Sequence, residues 1–440
     1  MPALFVVWLA LAFRLNGLEH VRQNYDRASP HGLGLHIRDA LAEGRWQDLP
    51  RTSIVASINL PNPAGASYFY ALLTAIDAHP YTATALNVLL GAVVAAVAWR
   101  VARQLFGELA GLVAGALAAT SLWSSWVARG AWLQGTIEFM AALAFWLVFR
   151  SLQAQKPKLL FAALAWAAAC MHTYLVAFGL LAQVIAVAVA HGLASPSFRR
   201  AALAGLGVSA LSLAIYLGAA LSSGAPVFAR LGEQLRAEAQ TALNIEPMLH
   251  WLRIASGRDY ENTFVEADTP LYLERDWISD QRANVVEAAM YVGLGVAGWS
   301  ALRRRSLRSA VLGLLLWSFM PLAATFVISN FGMRTWKVHV FYLLLASPAP
   351  YVFAGAPAAA LSRIPSWAQH ASAVVTTSFL GMSAGVSFWN SAGEVEAALR
   401  FPYTHDGLYS LTLAQQQRLA QLARARRAAV SSSVRRIRCG

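Results

Sequence analysis

Apolar runs of membrane-spanning length recur along this chain and constrain its fold more than any other feature. A hydrocarbon core of ~30 Å needs about 20 mostly apolar residues in helical form. Runs approaching that length cover 3–18, 84–99, 109–123, 131–149, two passes within 159–190, then 201–221, 285–301, 309–328, 338–358 and 372–388. None alternates apolar and polar residues as a barrel strand does. The expected fold class is an all-α polytopic membrane protein with about 11 transmembrane helices. A membrane domain fills 1–390, and a polar, basic tail follows at 391–440. With 57% of residues hydrophobic and 13% charged, little of the chain is left to face water.

The net charge of +13 invites a nucleic-acid reading until the charges are placed. With the N-terminus inside, the inner loops carry twelve basic residues, among them Arg100, Arg103, Arg150, Lys156, Arg199, Arg200 and Arg303 to Arg305, against one acid, Glu108. The outer loops 16–83 and 222–284 carry eleven basic and sixteen acidic residues. That is the positive-inside bias. The excess charge orients the chain, so no nucleic-acid partner is implied. Cys170 and Cys439 form neither a disulfide framework nor a CxxC metal site.

Polar chemistry concentrates in the first outer loop. Leu35 to Leu49 has near-helical apolar spacing with charges between, and reads as an amphipathic surface helix. Pro61 and Pro63 break regular helix, and 64–76 resumes one too short to span, which suits docking along the interface. In the second outer region, Val227 to Leu243 has helical periodicity. Beyond it, Asp259 and Tyr260 belong to polar-aromatic clusters suited to a sugar, with a solvated cap as the alternative. Leu411 to Arg427 reads as a basic helix.

A few residues are placed for chemistry. Asp26 lies a few residues beyond the first span, where a carboxylate can take a proton from a hydroxyl nucleophile. The plain alternative is a salt bridge to Arg22 or Arg27, or a helix cap. Glu138 sits within a span, where an ionisable group is costly and marks function by default. A structural pairing, with Arg129 for instance, is equally consistent. Arg334, Lys337 and His339 crowd a short outer loop against the usual charge bias, which suits an anionic ligand such as a lipid phosphate. A generic interfacial belt is the alternative. His31, His36 and Asp39 show no HxxxH or HExxH spacing, and there is no Walker loop, GxSxG elbow or dinucleotide fingerprint.

Taken in order, these features resemble the GT-C superfamily of membrane glycosyltransferases, which includes the protein O-mannosyltransferases and the lipid A aminoarabinose transferase. Asp26 follows the first span, where the family keeps its catalytic acid. His36 to Trp46 is similar to the family's next surface helix. Leu60-Pro61-Asn62-Pro63 through Tyr68-Phe69-Tyr70 resembles its Pro-Pro-Leu-Tyr-Tyr stretch, and Arg103 to Gly107 its Arg-x-Leu-Phe-Gly punctuation. His172-Thr173 falls at a recurrent polar break, and Lys337 to Pro350 resembles the late Tyr-Leu-Leu-x-x-x-Pro segment. One departure stands out: many relatives have Asp-Glu where this chain has Asp26-Arg27.

The resemblance implies transfer of a sugar from a polyprenyl-phosphate donor to an acceptor hydroxyl at the outer face of the membrane, with inversion. Asp26 would be the base, and Arg334, Lys337, His339 and Arg38 would hold the donor phosphate. Tyr25, His31, Glu138, Asp259 and Tyr260 are candidate acceptor or sugar contacts. The implied partners are the lipid donor, membrane lipids and an acceptor that is a lipid, glycan or protein. No cofactor is required, with a divalent metal left open. The readings from other classes are a transporter or lipid flippase, and a non-catalytic membrane subunit. Asp26→Asn discriminates, since only an enzyme should lose its activity.

Overall fold

The computed structural model describes residues 2–16, 18, 22–24, 30–55, 60–78, 80–130, 133–192, 195–223, 229, 232, 243–258, 277–332, 340–361, 375–385, 387 and 410–412. Helices dominate. In chain order they are α1 (Pro2–Leu15), α2 (Pro30–Ala42), α3 (Gly65–Ile76), α4 (Pro80–Phe106), α5 (Glu108–Ala119), α6 (Leu122–Ala128), α7 (Ile137–Ala154), α8 (Pro157–Met171), α9 (Ala177–Gly192) and α10 (Pro196–Ser222). Then follow α11 (Glu246–Ser256), α12 (Trp277–Arg303), α13 (Arg305–Val327), α14 (Val340–Leu343), α15 (Ala349–Gly355) and α16 (Ala358–Leu361).

Among the described residues, five helical stretches are long and apolar enough to cross a membrane: Thr82–Phe106, Gln134–Ala154, Pro196–Ser222, Trp277–Arg303 and Leu307–Asn330. A sixth forms if α5 and α6, bent by 50° at their junction, make one broken span. Helices α1, α8 and α9 are apolar but shorter, so the expected division of 159–190 into two passes corresponds to two helices joined by a turn at 172–176. The expected single span at 338–358 is not one helix. Pro348, Pro350 and Pro357 break it into α14, a 3₁₀ turn (Leu344–Ala346), α15 and α16, each too short to cross.

Connectivity puts the junctions 107, 155–156 and 304 at one end of the bundle, opposite the loop that contains α2 and α3. Arginine caps this end against tryptophan: Arg103 lies 5.2 Å from the Trp99 ring, Arg150 5.6 Å from Trp146 and Arg303 4.3 Å from Trp299. Indole faces under guanidinium groups at helix ends are the makeup of a membrane–water interface. Helices α4 and α5 pack closely because Gly111 and Gly115 expose backbone there. A methyl on Gly111 would lie 2.9 Å from Trp99 O, and one on Gly115 2.8 Å from Trp99 Cβ.

The opposite end carries the polar elements. Helix α2 covers 30–42, somewhat earlier than the amphipathic segment expected at 35–49, and a 3₁₀ turn (Trp46–Asp48) follows it. The shift has a local cause: Gly44, at φ 70°, ends the helix before Trp46. Strands β2 (Thr52–Val55) and β3 (Pro61–Pro63) pair antiparallel before α3. Strand β1 (Arg22–Asn24) pairs with β4 (Ser410–Thr412), so the tail returns to the first loop. Leu411 and Thr412 therefore lie in a strand rather than the expected basic helix. The rest of that helix, and the one expected at 227–243 apart from residues 229, 232 and 243, lies outside the described residues.

Candidate active site

Two buried arginines build the floor of the polar end. Helix α1 ends at Leu15, leaving its last carbonyls without intrahelical donors. Arg129, just past α6, supplies them, donating to Phe13 O at 2.8 Å, Asn16 O at 3.0 Å and Arg14 O at 3.2 Å. Arg14 does the same for α5, donating to Ala119 O at 2.7 Å and Ala118 O at 3.0 Å, where the chain bends into α6. Each arginine thus caps a helix that ends beside the other's, with cations set at the negative ends of two helix dipoles. Both are fully buried.

Glu138, 5% exposed, is the carboxylate of this floor. Ser124 Oγ donates to its Oε2, and Arg14 Nη2 donates to the same Ser124 Oγ at 2.7 Å. Its Oε1 lies 2.9 Å from Tyr351 Oη and 3.2 Å from Ser347 Oγ. Tyr351 Oη is also 3.1 Å from Ser121 Oγ, and Ser121 Oγ donates to Ile254 O of α11 at 3.0 Å. One carboxylate therefore joins α1, α6, α7, α11 and α15. Both its oxygens are taken up by protein hydroxyls, and Arg14, through Ser124, is the cation bridged to it. The pairing with Arg129 that the sequence suggested is not the one observed.

Above this floor, the Pro61–Gly65 segment is docked onto the 172–176 turn. Tyr216 Oη donates to Pro61 O at 3.0 Å, Leu175 N donates to Asn62 Oδ1 at 3.3 Å, and Gly65 N donates to His172 O at 2.8 Å. The polar break at His172-Thr173 therefore receives the proline motif. Only glycine fits at 65, because a Cβ would stand 2.4 Å from the His172 carbonyl oxygen. Gly65→Ala should force the two segments apart and cost about 1–3 kcal/mol, seen as a lowered unfolding midpoint of the purified protein.

The other sequence-selected residues divide in two. Arg38 does not reach out from α2. It donates to Asp39 Oδ1 through Nε at 2.9 Å and Nη2 at 2.7 Å, and to Thr74 O through Nη1 at 3.0 Å, stitching α2 to the end of α3. His31 is buried in the first turn of α2. Among the described residues no three His, Cys, Asp or Glu side chains are grouped to hold a metal ion. Tyr25, Asp26, Asp259, Tyr260, Arg334, Lys337 and His339 lie outside the described residues. What is described is the frame on either side of them. Helix α1, which leads toward Asp26, contacts α6, and so does α14, which follows His339 directly.

Sequence reasoning missed Arg14, Ser124, Ser347 and Tyr351. Arg14 was the legible one: a cation at the end of an apolar run needs a partner as much as Glu138 does. The hydroxyls carry no such signal.

The solved structures that this chain resembles settle the architecture. ArnT from Cupriavidus metallidurans, solved with bound undecaprenyl phosphate, aligns over 90% of this chain and 76% of its own, with a TM-score of 0.55 at 16% identity. The Archaeoglobus fulgidus oligosaccharyltransferase, tethered to an acceptor peptide, aligns over 89% of this chain with a TM-score of 0.54 at 11% identity. The fold is that of the GT-C membrane glycosyltransferases. The chain spans about three quarters of ArnT and 55% of the oligosaccharyltransferase. The model of the dolichyl-phosphate-mannose-protein mannosyltransferase family matches residues 61–218. That stretch of the GT-C fold runs from β3 to α10 and holds Arg129, Glu138 and the docked proline motif. No curated protein has a matching sequence.

Proposed function

We propose that this protein is a glycosyltransferase that moves a sugar from a polyprenyl-phosphate carrier to an acceptor hydroxyl at the outer face of the membrane. Asp26 takes the proton of the attacking hydroxyl, which displaces the lipid phosphate with inversion at the anomeric carbon. Arg334, Lys337 and His339 stabilise the charge that develops on the leaving phosphate. A lipid-borne donor presents that phosphate at the interface, so no soluble nucleotide-sugar site is needed. Arg38 is left out of this set, because three of its five N–H groups already go to Asp39 and the Thr74 carbonyl, which tie it to α2 and α3.

One observation supports this reading above the others. Helix α6, clamped by Arg129 to the end of α1, also touches α14, so the segments leading to Asp26 and away from the cationic loop hang from one short helix. The resemblance to ArnT, whose structure holds undecaprenyl phosphate, favours the same class of donor.

The test is incubation of the purified protein, in lipid, with a panel of polyprenyl-phosphate sugars and candidate acceptors. Acceptor-dependent release of free polyprenyl phosphate from at least one donor is expected. Release from none of a broad panel, with transport or flipping of the same lipids detected instead, would favour the transporter reading.

A further inference from the structure

Helix α13 ends in a widened π turn over Ile328–Gly332, and the segment with Arg334, Lys337 and His339 begins directly after it. Such turns are frequent at functional sites. Asn330, 6% exposed, sits in the middle of this one. Its amide grips the backbone of Asn244, two residues before α11. Asn244 N donates to Asn330 Oδ1 at 2.6 Å, and Asn330 Nδ2 donates to Asn244 O at 3.0 Å. Asn330 Nδ2 also donates to Phe326 O at 2.9 Å, on its own turn. Two carbonyls face Nδ2 and an N–H faces Oδ1, so the amide has one orientation.

The segment that Asn330 grips also holds the other foot of the cationic loop. Helix α11 packs against α14, which starts at Val340, directly after His339. Helix α11 is itself anchored. Trp251 Nε1 donates to Ser318 Oγ of α13 at 3.0 Å, the Trp251 ring stacks on Phe319 with centroids 5.6 Å apart, and Ile254 O accepts from Ser121 Oγ at 3.0 Å. The stretch from Gly332 to Val340 reaches roughly 28 Å when fully extended. With both feet held by one short segment, the loop can go out and back by no more than about 14 Å.

We propose that Asn330 is a positioning residue: its clamp on Asn244 sets one foot of the cationic loop, so that Arg334, Lys337 and His339 meet the lipid phosphate. The inference rests on the transfer reading above and adds the residue that aims its phosphate-binding groups. Asparagine suits the task because a donor and an acceptor stand side by side, matching the N–H and C=O of one residue. Aspartate has the same shape, but when ionised it has no donor and sets oxygen against the carbonyls of Asn244 and Phe326.

The test measures binding of undecaprenyl phosphate, and of undecaprenol as the same chain without charge, to the full protein in phosphatidylcholine nanodiscs. The parent should prefer the phosphate. Asn330→Asp should lose at least about tenfold of that preference, as a displaced binding group does, while holding undecaprenol as before. Asn330→Ala separates the clamp from the added charge and should lose preference in the same direction. Should neither variant fold, the parent alone decides: bound undecaprenyl phosphate should slow backbone hydrogen exchange at 244–249 and 328–332, and undecaprenol should not. A lowered unfolding midpoint with the preference intact, or exchange there that ignores the phosphate, would overturn the role of Asn330 and leave the transfer reading standing. A parent that binds the two lipids equally would overturn the transfer reading and this inference with it.

Discussion

Replacing Asp26 with Asn should slow sugar transfer by about two to four orders of magnitude, the usual range for losing a general base. The folded protein should survive with an unchanged unfolding midpoint. Asparagine keeps the size of the side chain and its capacity to accept a hydrogen bond, but it does not take a proton at neutral pH. Single-turnover transfer by the parent and the variant, at saturating donor, measures the effect directly. If Asp26 only pairs with Arg22 or Arg27, the rate constant should hold while stability moves by no more than a surface ion pair contributes, about 0–1 kcal/mol. A transporter or a non-catalytic subunit should also tolerate the change. The departure from Asp-Glu to Asp26-Arg27 makes a second point testable in the same assay: Arg27→Glu should leave most of the rate, because the base is Asp26 alone.

Glu138 should behave in the opposite way, with a large effect on stability. Glu138→Leu removes the acceptor of Ser124, Ser347 and Tyr351, and leaves the buried Arg14 without its bridged anion. Breaking a buried ionic network from one side typically costs about 3–5 kcal/mol, read as a steep fall in the unfolding midpoint of the purified protein. Glu138→Gln retains an acceptor oxygen for the hydroxyls and should lose much less. The contrast separates a clasp from a ligand contact. A carboxylate that bound acceptor or sugar would leave the midpoint where it was and raise KM in both variants.

The architecture was written largely in the apolar periodicity. Long runs without alternation gave helices, because that signal is local and repeats many times. The 338–358 segment read wrongly because its mean hydropathy is that of a span, while three prolines within about ten residues forbid a continuous helix. Glu138 was visible as an ionisable group in an apolar run. Its clasp was not, since Ser347 and Tyr351 stand more than two hundred residues away in sequence and carry no charge to mark them. Arg38's surroundings were hidden for a related reason: a cation next to an acid in an amphipathic stretch gives no sign that the neighbouring helix places a carbonyl against it.

The proposed transfer requires Asp26 to face the same hollow as the cations at 334–339, and proximity is the most direct check of that. Single cysteines placed at 26 and 337, in a chain with Cys439 replaced by Ser, should be joined by a short bifunctional thiol reagent, and a polyprenyl phosphate should block the reaction. No link at any reagent length short of the bundle's width, with both cysteines freely modified by water-soluble thiol reagents in the presence of that lipid, would contradict it.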